Sequence, residues 1–503
     1  MPLVTSTTVI PEFDVRRYGA DPTGATDSQT MLVAAIAAAK AAGAAVYVPP
    51  GTFAHSGALT LDGVRMFGDG PTSILKATTP TAATIILTGT APELCDVAIS
   101  TTGVARLAGT NASGVLVNVA TRALVSGVTV LSAANVGIMV NAASFARIIG
   151  NHVQGTLADG IYTTNVSHHI TIADNVVSGP GDDCISVVSY VADEAQCHDI
   201  TITGNVVDSG STRGITVVGG IRISLTGNVI TNMNDTGISV ISDSTALTYG
   251  STDISISANV LMTTSTGSDS QPSIAIFGRS GFTVNRVIVQ GNTIRDGRYG
   301  AILVNTFAGE VLISGNSIFL VGGTAAIRLL GCESVSVLDN LIEQTIVHAI
   351  HVDNAATGIL RINGNTFRDI VTQSNAGVDI CLIDSGSTVD LIEFNYNYHA
   401  QPGGYACRNL IRAAGNPQMI ATGNYSTVGK YIYAADGTRL FVNADQTMPR
   451  QMTGYYGAAP TAGTWSQGDL VYHYAPVAGG NVGWVCTAAG TPGTWKTFGA
   501  IAA

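Results

Sequence analysis

Residues 151–190 read NHVQGTLADGIYTTNVSHHITIADNVVSGPGDDCISVVSY, and residues 200–220 continue as ITITGNVVDSGSTRGITVVGG. Asn151, Asn175 and Asn205 open three similar segments, GNHV, DNVV and GNVV. Eight residues after each stands a charged residue, Asp159, Asp183 or Arg213, and a short turn then leads into an apolar strand. If each segment is one coil of a stack, these three side chains form a column with Asp182 alongside. Carboxylates and a guanidinium gathered on one face of a charge-poor chain mark a candidate active site.

The same ruler extends well beyond this stretch. Asn-led segments recur at Asn151, Asn175, Asn205, Asn228, Asn259, Asn292, Asn316, Asn340, Asn365 and Asn395, with a last one at Asn424. Successive gaps run from 23 to 33 residues. The shortest fit three short strands with their turns, and longer ones hold outward loops. A period of this size predicts a solenoid. The repeated pieces are short and β-branched, so a β-helix is favoured over helical repeats. The recurring Asn is expected in a turn, in the left-handed conformation, laddering with the Asn above and below.

Composition points the same way. Apolar residues are 46% of the 503 and charged residues only 11%, which suits a buried, turn-rich all-β stack and argues against disorder. The net charge of −11 makes nucleic acid an unfavourable partner. The start, MPLVTSTTVIPEFDV, lacks the features of a signal peptide. The most apolar run, Met31 to Val48, is interrupted by Lys40 and Gly43 and reads as an amphipathic helix entering a strand, so no membrane span is expected. Seven scattered Cys without ligand spacing read as buried thiols, with no metal site.

The expected organisation has four parts. Residues 1–58 are an arm and a capping helix, with Thr26 or Asp27 as the cap and Met31, Ala35 and Ile36 at helical spacing. Residues 59–428 form the solenoid, 429–456 a linker, and 457–503 a small β-module containing Trp465, Trp484 and Trp495. Those tryptophans supply a core that so small a module otherwise lacks; a sugar-stacking face and trimerisation are the other readings. FDVRRYGADPTGATDSQTMLVAAIAAAKAAGAAVYVPPGTF resembles the N-terminal cap of the pectate-lyase-like superfamily of right-handed parallel β-helices. The C-terminal piece resembles small modules at the ends of phage tail and other receptor-binding proteins.

Within the central stretch, Leu157-Ala158-Asp159-Gly160-Ile161-Tyr162 is followed by Gly181-Asp182-Asp183-Cys184-Ile185 and Thr212-Arg213-Gly214-Ile215. This series resembles polygalacturonase-type glycoside hydrolases (family 28), with blocks N-T-D-G-I-D, G-D-D-C-I and G-H-G-I. The resemblance implies that Asp159, Asp182 and Asp183 are catalytic, one as acid and the others activating water. Arg213 stands where that family has His, and the R-I-K block that grips a uronate is missing, so polygalacturonate is disfavoured. Further groove candidates are His152, His169, Tyr162, Tyr190, Arg222, Asp243 and Arg279.

The expected function is an inverting glycoside hydrolase acting on a microbial exopolysaccharide or related glycan, without cofactor or metal. A polysaccharide lyase is the alternative, with Arg213 or calcium neutralising an acidic sugar. A non-catalytic tailspike or adhesin that binds glycan, possible as a homotrimer, is the third. Location is expected to be extracellular or virion-associated, with the cytoplasm left open.

Overall fold

The computed structural model describes residues 12–103, 105–107, 112–267, 271–353, 358–372, 378–414, 418–427, 432–434, 439–441, 452–463 and 465–503. Residues 1–11, in the expected N-terminal arm, fall outside them. The chain divides into two compact units, residues 1–239 with 243–249, and residues 240–242 with 250–503.

In the first unit a helix, Gln29–Ala42, precedes the coils and buries Leu32, Ala35, Ile36 and Ala39. It packs against the strands Ala45–Val48 and Leu59–Asp62, closing the end of the stack. Asp27 accepts the Gln29 N–H at 3.0 Å, whereas Thr26 turns back to Asp21. Gly43, at φ 63°, ends the helix in the left-handed conformation. No helix in the described residues is long and apolar enough to cross a membrane.

Each coil then gives one strand to each of three parallel sheets. The inward positions stack in register. Ile148, Ile172, Ile202 and Leu225 follow one another in the first sheet, Val153, Val177, Val207 and Ile230 in the second, and Ile161, Ile185 and Ile215 in the third. All are buried. Each such side chain contributes about 1.5–3 kcal/mol by leaving water, which is how short strands hold without long-range cross-links.

The Asn ladder lies at the corner between the first and second sheets. Asn175 Oδ1 accepts both the side-chain and backbone N–H of Asn151, at 2.9 and 3.0 Å, and the pattern repeats from Asn175 to Asn205 and Asn205 to Asn228. The left-handed conformation belongs not to the Asn but to the residue before it: Gly150, Asp174, Gly204 and Gly227. The backbone turn is thereby separated from the side-chain ladder.

The second unit repeats this construction, with its own ladder through Asn292, Asn316, Asn340 and Asn365. Here the expected register fails at one coil. The ladder passes through Asn397, not Asn395, because Tyr396 takes the left-handed turn at φ 56°. The coils also continue past residue 428. Ile432–Ala434 pairs with Ile411–Ala413, and Arg439–Phe441 pairs with Gln418–Thr422, so part of the expected linker is solenoid. Strand pairing needs no Gly-Asn marker, which is why marker counting stopped short. The remainder of that linker up to residue 451 lies outside the described residues. A four-stranded sheet follows, Met452–Tyr456, Leu470–His473, Asn481–Ala488 and Thr494–Ala500. Trp465 is buried there with Val471 and Cys486, and Trp495 meets it edge-on at 4.8 Å, so tryptophan builds this core. All seven cysteines are buried, and none forms a disulfide.

Candidate active site

Asp159, Asp183 and Arg213 occupy equivalent corners just before the third-sheet strands Ile161–Thr164, Ile185–Val188 and Ile215–Val218. The Gly160 N–H donates to Asp183 O at 3.0 Å and the Cys184 N–H to Arg213 O at 3.0 Å, which fixes the three residues as a column at coil spacing of about 4.8 Å. Gly160 is required by this closeness, because a Cβ there would lie 2.3 Å from Val177 Cγ1 and 2.6 Å from Cys184 O.

Donors converge on Asp183. Its Oδ1 accepts Arg213 Nε at 2.9 Å and the Arg213 backbone N–H at 3.2 Å, with the Thr212 hydroxyl 2.8 Å away. The same hydroxyl is 3.2 Å from Asp182 Oδ1 and gives its single proton to one of the two carboxylates. Asp182 also pairs with Arg106 Nη1 at 2.8 Å. Desolvation opposes the Arg213 charge, but the charge of Asp183 and their hydrogen bond outweigh it and raise the guanidinium pKa.

Asp159 differs in kind. Ser186 donates to its Oδ1 at 2.7 Å, and no cation pairs with it among the described residues. Burial first, and the charge of Asp183 second, push its carboxyl up to about 7 against the opposing Ser186 bond. A proton is thus retained beside a carboxylate locked to a guanidinium. Environments that split neighbouring carboxyls in this way separate an acid from a base.

These groups line a cavity of about 780 Å³. Tyr162 and Tyr190 close one side with their hydroxyls 2.9 Å apart, and burial followed by the Tyr190 neighbour raises the Tyr162 phenol far above its usual range. Asp193 and Asp243 lie on outer loops held together by the Tyr190–Thr248 bridge. Asn135, Met139 and Val218 complete much of the wall.

Of the residues expected from sequence, the cavity gathers Asp159, Asp182, Asp183, Arg213, Tyr162, Tyr190 and Asp243. Four others line no part of it. His152 is exposed on the second sheet, paired between Thr129 and Val176. His169 stacks on Phe145 at 4.6 Å on the first sheet. Arg222 grips both oxygens of Asp199, at 2.6 and 2.7 Å. Arg279, in the second unit, donates to Ser242 and lies 3.9 Å over the Phe282 ring. Sequence reasoning missed Arg106, Ser186, Thr212 and Asp193. Thr212 opens the third recognised block and Ser186 directly follows the second, whereas Arg106 comes from an outer loop with no motif around it.

Parallel coils, each giving one strand to each of three sheets, with a carboxylate cluster at one corner, make this chain a parallel β-helix. Comparison with known proteins agrees: residues 13–258 match the family described as rhamnogalacturonase A/epimerase, pectate lyase-like, and residues 224–395 a right handed beta helix region. No curated protein sequence matches the chain. Among solved structures, the catalytic unit of a thermostable GH87 alpha-1,3-glucanase from Streptomyces thermodiastaticus strain HF3-3 superposes with a TM-score of 0.54 at 19% identity, covering 86% of this chain and 70% of that one. PfbA, a surface adhesin of Streptococcus pneumoniae, gives 0.52 at 16% identity, covering 67% and 91%. An N-terminal fragment of bacteriophage Phi29 gene product 12 gives 0.50 at 16% identity, covering 85% and 72%. At these identities the likeness is one of fold.

Proposed function

We propose that the protein is a glycoside hydrolase that cleaves a neutral polysaccharide with inversion, and that Asp159 is its general acid. The observation that carries this reading is the contrast between Asp159, enclosed with no paired cation among the described residues so that burial pushes its carboxyl up to about 7, and Asp183, held by Arg213. Asp159 gives its proton to the glycosidic oxygen as the C1–O bond breaks. A water molecule, its proton taken by Asp182 or Asp183, forms the new C1–O bond from the opposite face.

Charge favours a neutral substrate. Four carboxylates, Asp182, Asp183, Asp193 and Asp243, line the cavity beside the protonated Asp159, against two guanidinium groups, Arg106 and Arg213. Both guanidinium groups are already engaged by aspartates. A lyase needs a cation to neutralise the sugar carboxylate, and neither guanidinium group lining this cavity is uncommitted. The fold neighbours include a phage protein and a surface adhesin, which suits an extracellular or virion-borne protein meeting glycan outside the cell.

The test is a panel of polysaccharides, with neutral glucans including alpha-1,3-glucan first, followed for new reducing ends and for the ultraviolet absorbance of unsaturated uronates. Reducing ends without absorbance are expected, and Asp159→Asn and Asp183→Asn should abolish them. Absorbance would make the protein a lyase, and unchanged polymer length across the panel would make it a binding protein.

A further inference from the structure

Apart from the carboxylate cavity, two groups of described side chains have the donor set and closeness of a metal site. One is His169, His198 and Asp199 in the first unit, the other His351, Asp353 and Asp384 in the second. Their neighbours separate them. Arg222 takes both oxygens of Asp199, and its Nη2 lies 3.4 Å from His198 Nδ1. A cation already fills the first group, and a metal ion would have to displace it.

The second group is built differently. His351 and Asp353 are two residues apart on the strand His348–Asp353, so their side chains leave the same face of the sheet. Asp384 directly follows the strand Cys381–Ile383 of the next coil, where Leu382 lies opposite His351. His351 Nε2 is 3.0 Å from Asp384 Oδ2, and one ligand atom from each of the three residues lies within 4.8 Å of the others. Arg328 holds Asp353 through Oδ2 at 2.7 Å. Ligating carboxylates are commonly oriented by such an outer contact.

Charge also favours an ion. His351 Nε2 shares a proton with Asp384 Oδ2 at 3.0 Å, and an ion bound there takes the place of that proton. The two aspartates outnumber Arg328, leaving a negative centre. Asp384 is 41% exposed, so water can complete the coordination shell.

We propose that His351, Asp353 and Asp384 bind a divalent transition-metal ion that clips two successive coils of the second unit together. One imidazole nitrogen with two carboxylate oxygens suits Zn²⁺ or Ni²⁺ better than Ca²⁺, which takes six to eight oxygens. The site is independent of the carboxylate cavity and of the reaction proposed for it.

The experiment is calorimetric titration of the chelator-stripped, full-length protein with zinc chloride near neutral pH. Asp384→Asn and His351→Gln are expected to weaken binding at least tenfold, while Asp183→Asn leaves the isotherm unchanged. Zinc should raise the melting temperature of the parent protein but not of Asp384→Asn. If His351→Gln fails to fold, the exposed Asp384→Asn decides alone. No zinc binding by the parent, an isotherm unmoved by Asp384→Asn, or binding lost only in Asp183→Asn would overturn the proposal.

Discussion

Arg213 Nε lies 2.9 Å from Asp183 Oδ1 across two successive coils, and the Arg213 backbone N–H reaches the same oxygen. Asp183 is almost fully enclosed, its side chain 5% exposed. Removing one partner of such a pair leaves an uncompensated charge in a poorly solvated place. Arg213→Ala should therefore cost about 3 kcal/mol of stability, measured by urea denaturation, and lower kcat more than it raises KM. A loss below about 0.5 kcal/mol, the range of an exposed ion pair, would show that Arg213 does not carry this charge.

The acid assignment makes a pH prediction. A general acid must be protonated, and the Asp159 carboxyl loses its proton around 7. Activity should fall on the alkaline side with a midpoint near that value. Ser186→Ala removes a bond that favours the ionised form, so it should move this alkaline limb to higher pH. A limb displaced to lower pH by Ser186→Ala would contradict the assignment.

The same group makes a stability prediction whose sign is unusual for an aspartate. Its folded pKa is raised above the ordinary 3.8, so the folded state holds a proton that the unfolded state releases between about 4 and 7. Stability is lost as pH rises through that window and is level above it. Asp159→Asn removes the penalty. The variant should melt close to the parent at about pH 4 and be more stable at about pH 8 by an amount on the order of 1–3 kcal/mol, while losing activity. A stability difference independent of pH would refute the raised pKa.

Much of this was legible in the chain because β-helix coils impose a ruler on sequence. Counting eight residues from each Asn placed Asp159, Asp183 and Arg213 in one column, and the backbone pairing of Gly160 with Asp183 and Cys184 with Arg213 shows why. The same ruler, read further, explains the residues that were misplaced. His152 comes one position after Asn151 and so belongs to the second sheet, while His169 and Arg222 precede their next Asn and belong to the first. The cavity lies over the third. Arg106 and Asp193 could not be placed by counting, because outer loops are set by their own contacts, such as the Val191 N–H donating to Leu247 O at 2.9 Å.

The shift from Asn395 to Asn397 yields the sharpest test of the ladder. Asn397 is buried: its Oδ1 accepts the backbone and side-chain N–H of Asn365, and its Nδ2 donates to Ile362 O and Asn424 Oδ1. Asn395 offers one side-chain bond, from the Thr422 N–H, at a partly exposed position. Asn397→Ala strands several buried groups and should cost about 2–4 kcal/mol, whereas Asn395→Ala should cost about 1 kcal/mol or less. Chemical denaturation of the two single variants compares them directly. Equal losses would mean that the ladder at this coil contributes no more than an ordinary turn hydrogen bond, and a larger loss at Asn395 would return the register to the simple Asn count.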